Sequence, residues 1–318
     1  MSFKPSEALR FLAGLGVAAV VGLLIVVRVT SCAPAPSPPG VPAQVGKLTP
    51  ALPPPAAVAP QPIFSGDCAN GPPAAAAANA ASLHGLAHAA FKRQEIGWAI
   101  YAPLIAREIG TGCPPQSPGF ARAFADWQTG QKLPSDGVLT EANIKFMKGI
   151  IESRRPIVLL YAQKICAEPA SPDRLVWGRT EEGYSGKPIQ LRPAVWAAYR
   201  RMVTDARAAV PAIAADPRNL TIFSGFRAPE ADLARCATEG GCDGVTRAII
   251  CSPHRTGLAM DIYVGEAPGF RPDSSADPNR LFMSQTPTYR WLVANADRYG
   301  FAPYPFEPWH WEWTGEAP

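Results

Sequence analysis

With 318 residues and 47% apolar side chains, the chain has room for about two domains and a substantial core. A net charge of only +4, with no basic run interleaved with aromatics, argues against a nucleic-acid surface. Seven cysteines, none in a Cys-x-x-Cys pair, argue against a cysteine-built zinc site.

The first ten residues carry Lys4 and Arg10, and residues 11–27 are an unbroken apolar run. A basic leader before such a run reads as an export signal or an N-terminal membrane anchor. Val29-Thr30-Ser31-Cys32 resembles a bacterial lipobox, which would make Cys32 a lipidated N-terminus, although Arg28 stands between the run and the box. Lipid anchoring and an uncleaved helix both remain open. Either one puts the rest of the chain on the periplasmic side of the inner membrane, with a membrane as partner. Residues 1–32 are assigned to this segment and 33–81 to a linker. Eleven prolines between 33 and 63 predict a semi-rigid, extended spacer, and the alanine-rich patch at 74–81 continues it.

Residues 82–155 read as a small helical domain. Ile96, Ile100, Leu104 and Ile109 approximate one helical face, which Pro103 must kink or break. Phe120, Phe124 and Trp127 repeat at helical spacing. Asp136-Gly137 marks a turn, and Thr140 is a plausible N-cap for a helix carrying Ile144, Met147 and Ile151. His84 and His88, four apart with no third ligand, read as a solvated helical face. Residues 154–180 read as connective.

The C-terminal domain, 175–318, is expected to be α+β. A helix from Pro193 to about Val210 would bury Val195, Tyr199, Met202 and Ala206. A short strand at 220–223 ends at Ser224-Gly225, and Pro229 opens a helix towards Cys236. Residues 265–285 read as a polar excursion. Thr286-Pro287 caps a helix ended by Gly300, and the chain closes on a strand at 309–313. In Leu258-Ala-Met-Asp-Ile262 the alternation turns Leu258, Met260 and Ile262 to the core and Asp261 to the other face. With Cys32 set aside, six cysteines remain, an even number that favours disulfides in an oxidising compartment. Local bonding among Cys236, Cys242 and Cys251 is expected, and Cys68 with Cys113.

The chemistry concentrates in two stretches, Ser252-Pro-His254-Arg-Thr-Gly-Leu-Ala-Met-Asp261 and Glu307-Pro-Trp-His310. The whole chain has four histidines, and two of them stand here, each close to a carboxylate. Imidazole and carboxylate are the usual nitrogen and oxygen ligands of a catalytic Zn²⁺. His254, Asp261 and His310 would supply three ligands to one ion per chain, leaving Glu307 as general base.

These stretches resemble the signature Ser-x-His-x-x-Gly-x-Ala-x-Asp followed by Glu-x-Trp-His of the LAS-type zinc peptidases. More narrowly, they are similar to the D-alanyl-D-alanine carboxypeptidases of the vancomycin-resistance type. Ser224-Gly225-Phe226-Arg227 is similar to the family element Ser-Gly-Tyr-Arg. The resemblance covers roughly 175–318. It implies a small antiparallel zinc-bearing sheet flanked by helices, as in the LAS and hedgehog-type fold. It also implies Arg227 as oxyanion stabiliser and substrate contact, Ser252 as a substrate contact, and peptidoglycan stem peptides as substrate. Trp309 is expected to wall the pocket. The glutamine usual after the Ser-Gly-Tyr-Arg element is missing, with Asp232 near its place, and the segment before Glu307 is short. Residues 124–140 resemble the later half of a peptidoglycan-binding-like helical domain; a packing module without ligand is the alternative. The expected activity is removal of the terminal D-alanine. An endopeptidase of the same fold and a non-catalytic wall-binding zinc module are the alternatives.

Overall fold

The computed structural model describes residues 67–239 and 251–318. The apolar run, Cys32, the proline-rich stretch and Cys242 lie outside the described residues. Among the described residues no helix is long and apolar enough to cross a membrane.

The alanine-rich patch, expected as linker, is instead mostly helix α1 (Pro73–Ser82). Small side chains let it approach closely, and Ala75 and Ala76 pack with Ala121 of α3 (Pro118–Gly130). Buried Asn79 donates to the Gly137 carbonyl at 2.9 Å and accepts from Leu139 N–H at 2.9 Å, so both ends of its amide are engaged. Strands β1 (Ala87–His88) and β2 (Glu95–Ile96) form a small hairpin before α2 (Ala102–Glu108). The helical face expected through Ile96 is therefore absent: Ile96 is an exposed strand residue, and Pro103 sits in the first turn of α2, where its missing N–H costs nothing. His88 is buried, with Nε2 2.9 Å from the Gly97 carbonyl, which corrects the solvated reading; His84 lies exposed in a turn.

Phe120 and Phe124 of α3 are buried as expected, and Ser117 caps it. Thr140 and Asn143 form a capping box for α4 (Glu141–Glu152), whose buried face carries Ile144, Met147 and Ile151. The stretch expected as connective holds helix α5 (Pro156–Ala162) and strand β3 (Val176–Trp177), which pairs with β4 (Gln190–Leu191). Helix α6 (Pro193–Ala209) buries Val195, Trp196, Tyr199, Met202 and Ala206, and α7 (Pro211–Ala215) follows.

An antiparallel sheet carries the site. It consists of β5 (Ile222–Ser224), β6 (Ala259–Ile262), β8 (His310–Trp313) and β7 (Phe301–Pro303), in that spatial order. Helix α8 (Pro229–Glu239) follows β5. The expected polar excursion contains α9 (Asp277–Gln285), whose buried residues include Asn279, Arg280 and Ser284. Apolar periodicity could not reveal it, because tertiary partners satisfy those polar groups: Arg280 pairs with Glu95 at 2.6 Å. Helix α10 (Pro287–Asn295) is capped by Thr286, and Gly300, at φ 84°, ends the turn after it.

Cross-strand pairs Met260 with Trp311 and Asp261 with His310 show the two faces. Met260, Ile262, Trp311 and Phe301 join the core, while Asp261, His310 and Glu312 share the other face. This is an α+β architecture, with helices against a small antiparallel sheet. One hydrophobic cluster runs from Trp98, Leu104, Phe120 and Ile151 to Leu292, Phe301 and Trp311. The helical residues and the sheet thus share a single core.

Disulfide Cys68–Cys113 forms as expected. Cys251 bonds Cys166, not a neighbour in its own loop. The Tyr161 hydroxyl of α5 donates to the Cys251 carbonyl, which holds the end of α5 against Cys251, so the two sulfurs meet across the fold. Cys236 is also disulfide-bonded.

Candidate metal centre

His254 sits in a single 3-10 turn, Pro253–Thr256. The Ser252 hydroxyl caps it by accepting from His254 N–H at 3.3 Å, and Gly257, at φ 68°, ends it. A Cβ on Gly257 would meet Leu175 Cδ2 at 2.7 Å, so both the backbone angle and the space require glycine there. Buried Arg192 fastens the turn from outside, its Nε donating to the Thr256 carbonyl at 2.7 Å. Gly225 brings its carbonyl to 2.7 Å from His254 Nδ1; a Cβ there would strike the Gln190 carbonyl at 2.6 Å.

His254, Asp261 and His310 converge, each offering one ligand atom within 4.8 Å of the others. His254 Nε2 is 3.2 Å from Asp261 Oδ2, and His310 Nδ1 is 2.8 Å from Asp261 Oδ1. All three residues are buried. The outer nitrogens are engaged by acceptors: Nδ1 of His254 by the Gly225 carbonyl, and Nε2 of His310 by Glu312 Oε1 at 3.3 Å. Each outer nitrogen therefore carries a proton in the neutral ring, and each inner nitrogen presents a lone pair beside a carboxylate. Such a set needs a cation. Without one a proton takes the place: burial works against charging His310, but hydrogen bonds to Asp261 and Glu312 outweigh it and push the imidazole up to about 9. His254 goes the other way, lowered chiefly by its burial. Asp261 stays strongly ionised, burial being overcome by the two imidazoles. The donor set, two imidazoles and one carboxylate, fits Zn²⁺ with a position left open.

Glu307 lies in the turn between β7 and β8. Its N–H donates to the Tyr304 carbonyl at 3.1 Å, and its carbonyl accepts from His310 N–H at 2.9 Å. Burial raises its carboxyl above the ordinary value; the Asp261 charge adds to this, while His310 opposes it. The carboxylate therefore feels the charges of His310 and Asp261. Arg227 follows β5 and donates from Nη2 to the Ser252 hydroxyl at 3.0 Å. Its Nε lies 2.7 Å from Oδ1 of Asp232, a fully buried residue of α8. Asp232, near the place of the missing glutamine, thus holds the arginine. A cleft of about 260 Å³ leads away from Arg227, lined by Trp177, Lys187, Gln190, Ser224 and Phe226 among others.

Trp309 does not join this group. Its ring is buried in the core, and its carbonyl accepts from Ile262 N–H at 2.8 Å. The alternation that turns His310 to the site turns Trp309 to the opposite face. Sequence reasoning missed Glu312, although its place two residues after His310 on a strand was a usable signal.

Fold and site together define an α+β protein with a candidate metal centre, a half-buried carboxylate and an anchored arginine beside it. Residues 188–316 match the family model VanY, D-alanyl-D-alanine carboxypeptidase. Residues 188–316 are therefore similar to that family, whereas the helical residues before them lie outside the match. No curated protein matches the chain.

Proposed function

We propose that the chain is a zinc-dependent D-alanyl-D-alanine carboxypeptidase that trims peptidoglycan stem peptides. The observation that carries this reading is the convergence of His254, Asp261 and His310, with both outer imidazole nitrogens pinned, inside the family-matched segment. Held by those three side chains, zinc would supply Lewis acidity towards the scissile carbonyl and towards water.

The chain's own groups supply the remainder. Glu307 accepts the proton of the attacking water at its carboxylate and returns it to the leaving amine. Burial keeps this carboxyl more basic than an ordinary glutamate, which suits that exchange. Arg227, fixed at Nε by Asp232, has further N–H groups with which to steady the developing oxyanion or a substrate carboxylate. Ser252, bonded to the same guanidinium, is positioned for substrate contact. The cleft beside Arg227 offers room for a peptide. The disulfides Cys68–Cys113 and Cys166–Cys251 support an exported location.

The test is incubation of the purified protein with a pentapeptide stem, with and without chelator, and product masses by mass spectrometry. Zinc-dependent loss of one alanine is expected. In Glu307→Gln the rate should fall by about 10²–10⁴-fold with zinc content retained. A zinc-loaded sample that cleaves no muropeptide refutes the reading, and internal cleavage of the stem would make it an endopeptidase instead.

A further inference from the structure

Outside the residues given a chemical role, the structure buries another ion pair against the site. Arg155, at the start of α5, and Glu312, on β8, are both buried, with side chains 8% and 2% exposed. The Arg155 guanidinium reaches Glu312 Oε1 from Nε at 2.8 Å and from Nη2 at 2.5 Å. The same Oε1 lies 3.3 Å from His310 Nε2. The guanidinium also lies over the Tyr304 ring, 4.2 Å from its centroid. Tyr304 in turn is tied to His310 through its backbone, its N–H donating to the His310 carbonyl at 3.0 Å. Arg155 thus touches both ends of the turn that carries Glu307 and His310. It comes from the helical part of the chain, outside the 188–316 match.

We propose that Arg155 is a positioning residue for the metal centre: it fixes the Glu312 carboxylate, which orients the His310 ring so that Nδ1 faces the ion. The inference rests on reading His254, Asp261 and His310 as the metal site. An imidazole ligand needs an acceptor on its outer nitrogen to select the tautomer and ring angle. A carboxylate supplies this only if it is itself held, and one without a partner is free to turn towards water. Arg155 removes that freedom. Its planar fork admits a narrow range of angles, so the restraint passes to the ring as orientation as well as charge. The helical part then has a role in the reaction that does not require it to bind glycan: it completes the metal centre.

The experiment uses the full chain. Arg155→Met, Arg155→Lys, Glu312→Gln, the Arg155→Met/Glu312→Gln double variant and Arg154→Met are compared with the parent. Arg154, paired with Glu108 and half exposed, serves as a neighbouring control. Zinc affinity is read by competition with a chromophoric chelator, coordination by the visible spectrum of the Co²⁺-loaded protein, and folding by circular dichroism. Arg155→Met and Glu312→Gln should bind zinc about 10–100-fold more weakly, with an altered Co²⁺ spectrum. The double variant should bind no more weakly than the weaker single variant, Arg155→Lys should recover part of the loss, and Arg154→Met should match the parent. A folded Arg155→Met that binds zinc as tightly as the parent overturns the proposal. If that variant does not fold, a folded Glu312→Gln with parental affinity overturns it equally. A parent that binds no zinc removes the metal reading and this proposal together, whereas parental binding with unaffected variants removes this proposal alone.

Discussion

Arg227 and Asp232 form an ion pair beside the candidate metal centre. The arginine contacts the Ser252 hydroxyl, and the buried aspartate, raised by its own desolvation, still lies 2.7 Å from the guanidinium. Loss of Arg227 in Arg227→Met is expected to lower kcat by about 10²–10³-fold, as for removal of one oxyanion donor. Asp232→Ala should lower it in the same direction by less. Asp232→Gln, whose amide oxygen can still accept from Nε, should retain more activity than the alanine variant. Steady-state kinetics on the pentapeptide check this order, and an Asp232→Ala enzyme as active as the parent would separate the pair from catalysis. Glu312 makes a pH argument. Burial would raise it, but Arg155 and His310 outweigh that and bring it from the ordinary 4.5 to about 2. A carboxyl depressed in the folded state contributes stability that is complete above its unfolded pKa and is lost as pH falls through the folded one. Chelator-treated protein should therefore lose about 3 kcal/mol between roughly pH 4.5 and pH 2 from this group. Urea unfolding across that range should show a smaller acid loss in Glu312→Gln, and an equal loss in both proteins would contradict the assignment.

At the scale of elements, the turn that carries His254 is held from three sides. Arg192 fastens the Thr256 carbonyl, Gly225 accepts from the imidazole, and the Cys166–Cys251 disulfide anchors the residue just before Ser252. That disulfide joins residues 85 apart in sequence, so removing it in Cys166→Ser/Cys251→Ser should cost about 4 kcal/mol through unfolded-chain entropy. It should also weaken zinc binding, because the ligand turn loses an anchor. Cys68→Ser/Cys113→Ser, remote from the metal, should cost stability of similar size and leave zinc affinity at the parental value. Thermal melts with zinc competition on both variants distinguish local anchoring from general destabilisation. Equal zinc affinity in all three proteins would show that the turn does not depend on the bond.

At the scale of the molecule, the helical residues and the sheet cannot be separated without opening the core. Helix α10 packs on α2 and β7 on α4, Arg280 pairs with Glu95, and Arg155 pairs with Glu312. A fragment of 175–318 alone would expose Leu292, Phe301 and Trp311 and take Glu95 from Arg280 and Arg155 from Glu312. Such a fragment should show no cooperative unfolding in denaturant and bind zinc weakly; a cooperative transition with parental zinc affinity would show that the helices are dispensable. The sequence by itself marked out His254, Asp261 and His310 as candidate ligands, the face on which Asp261 stands, the caps at Thr140 and Thr286, and the long helix from Pro193. These are local properties, set by strand alternation, by side chains that bond their own backbone within three residues, and by proline's fixed angle. Only the tertiary structure decided that the alanine patch is a packed helix, that α9 lies inside a polar stretch, and that Cys251 bonds Cys166. It alone also turned Trp309 into the core and set Arg155 against Glu312. The reason is common to all of these: buried polar groups and small side chains take their meaning from partners far away in the chain, and spacing along a sequence carries no record of who those partners are.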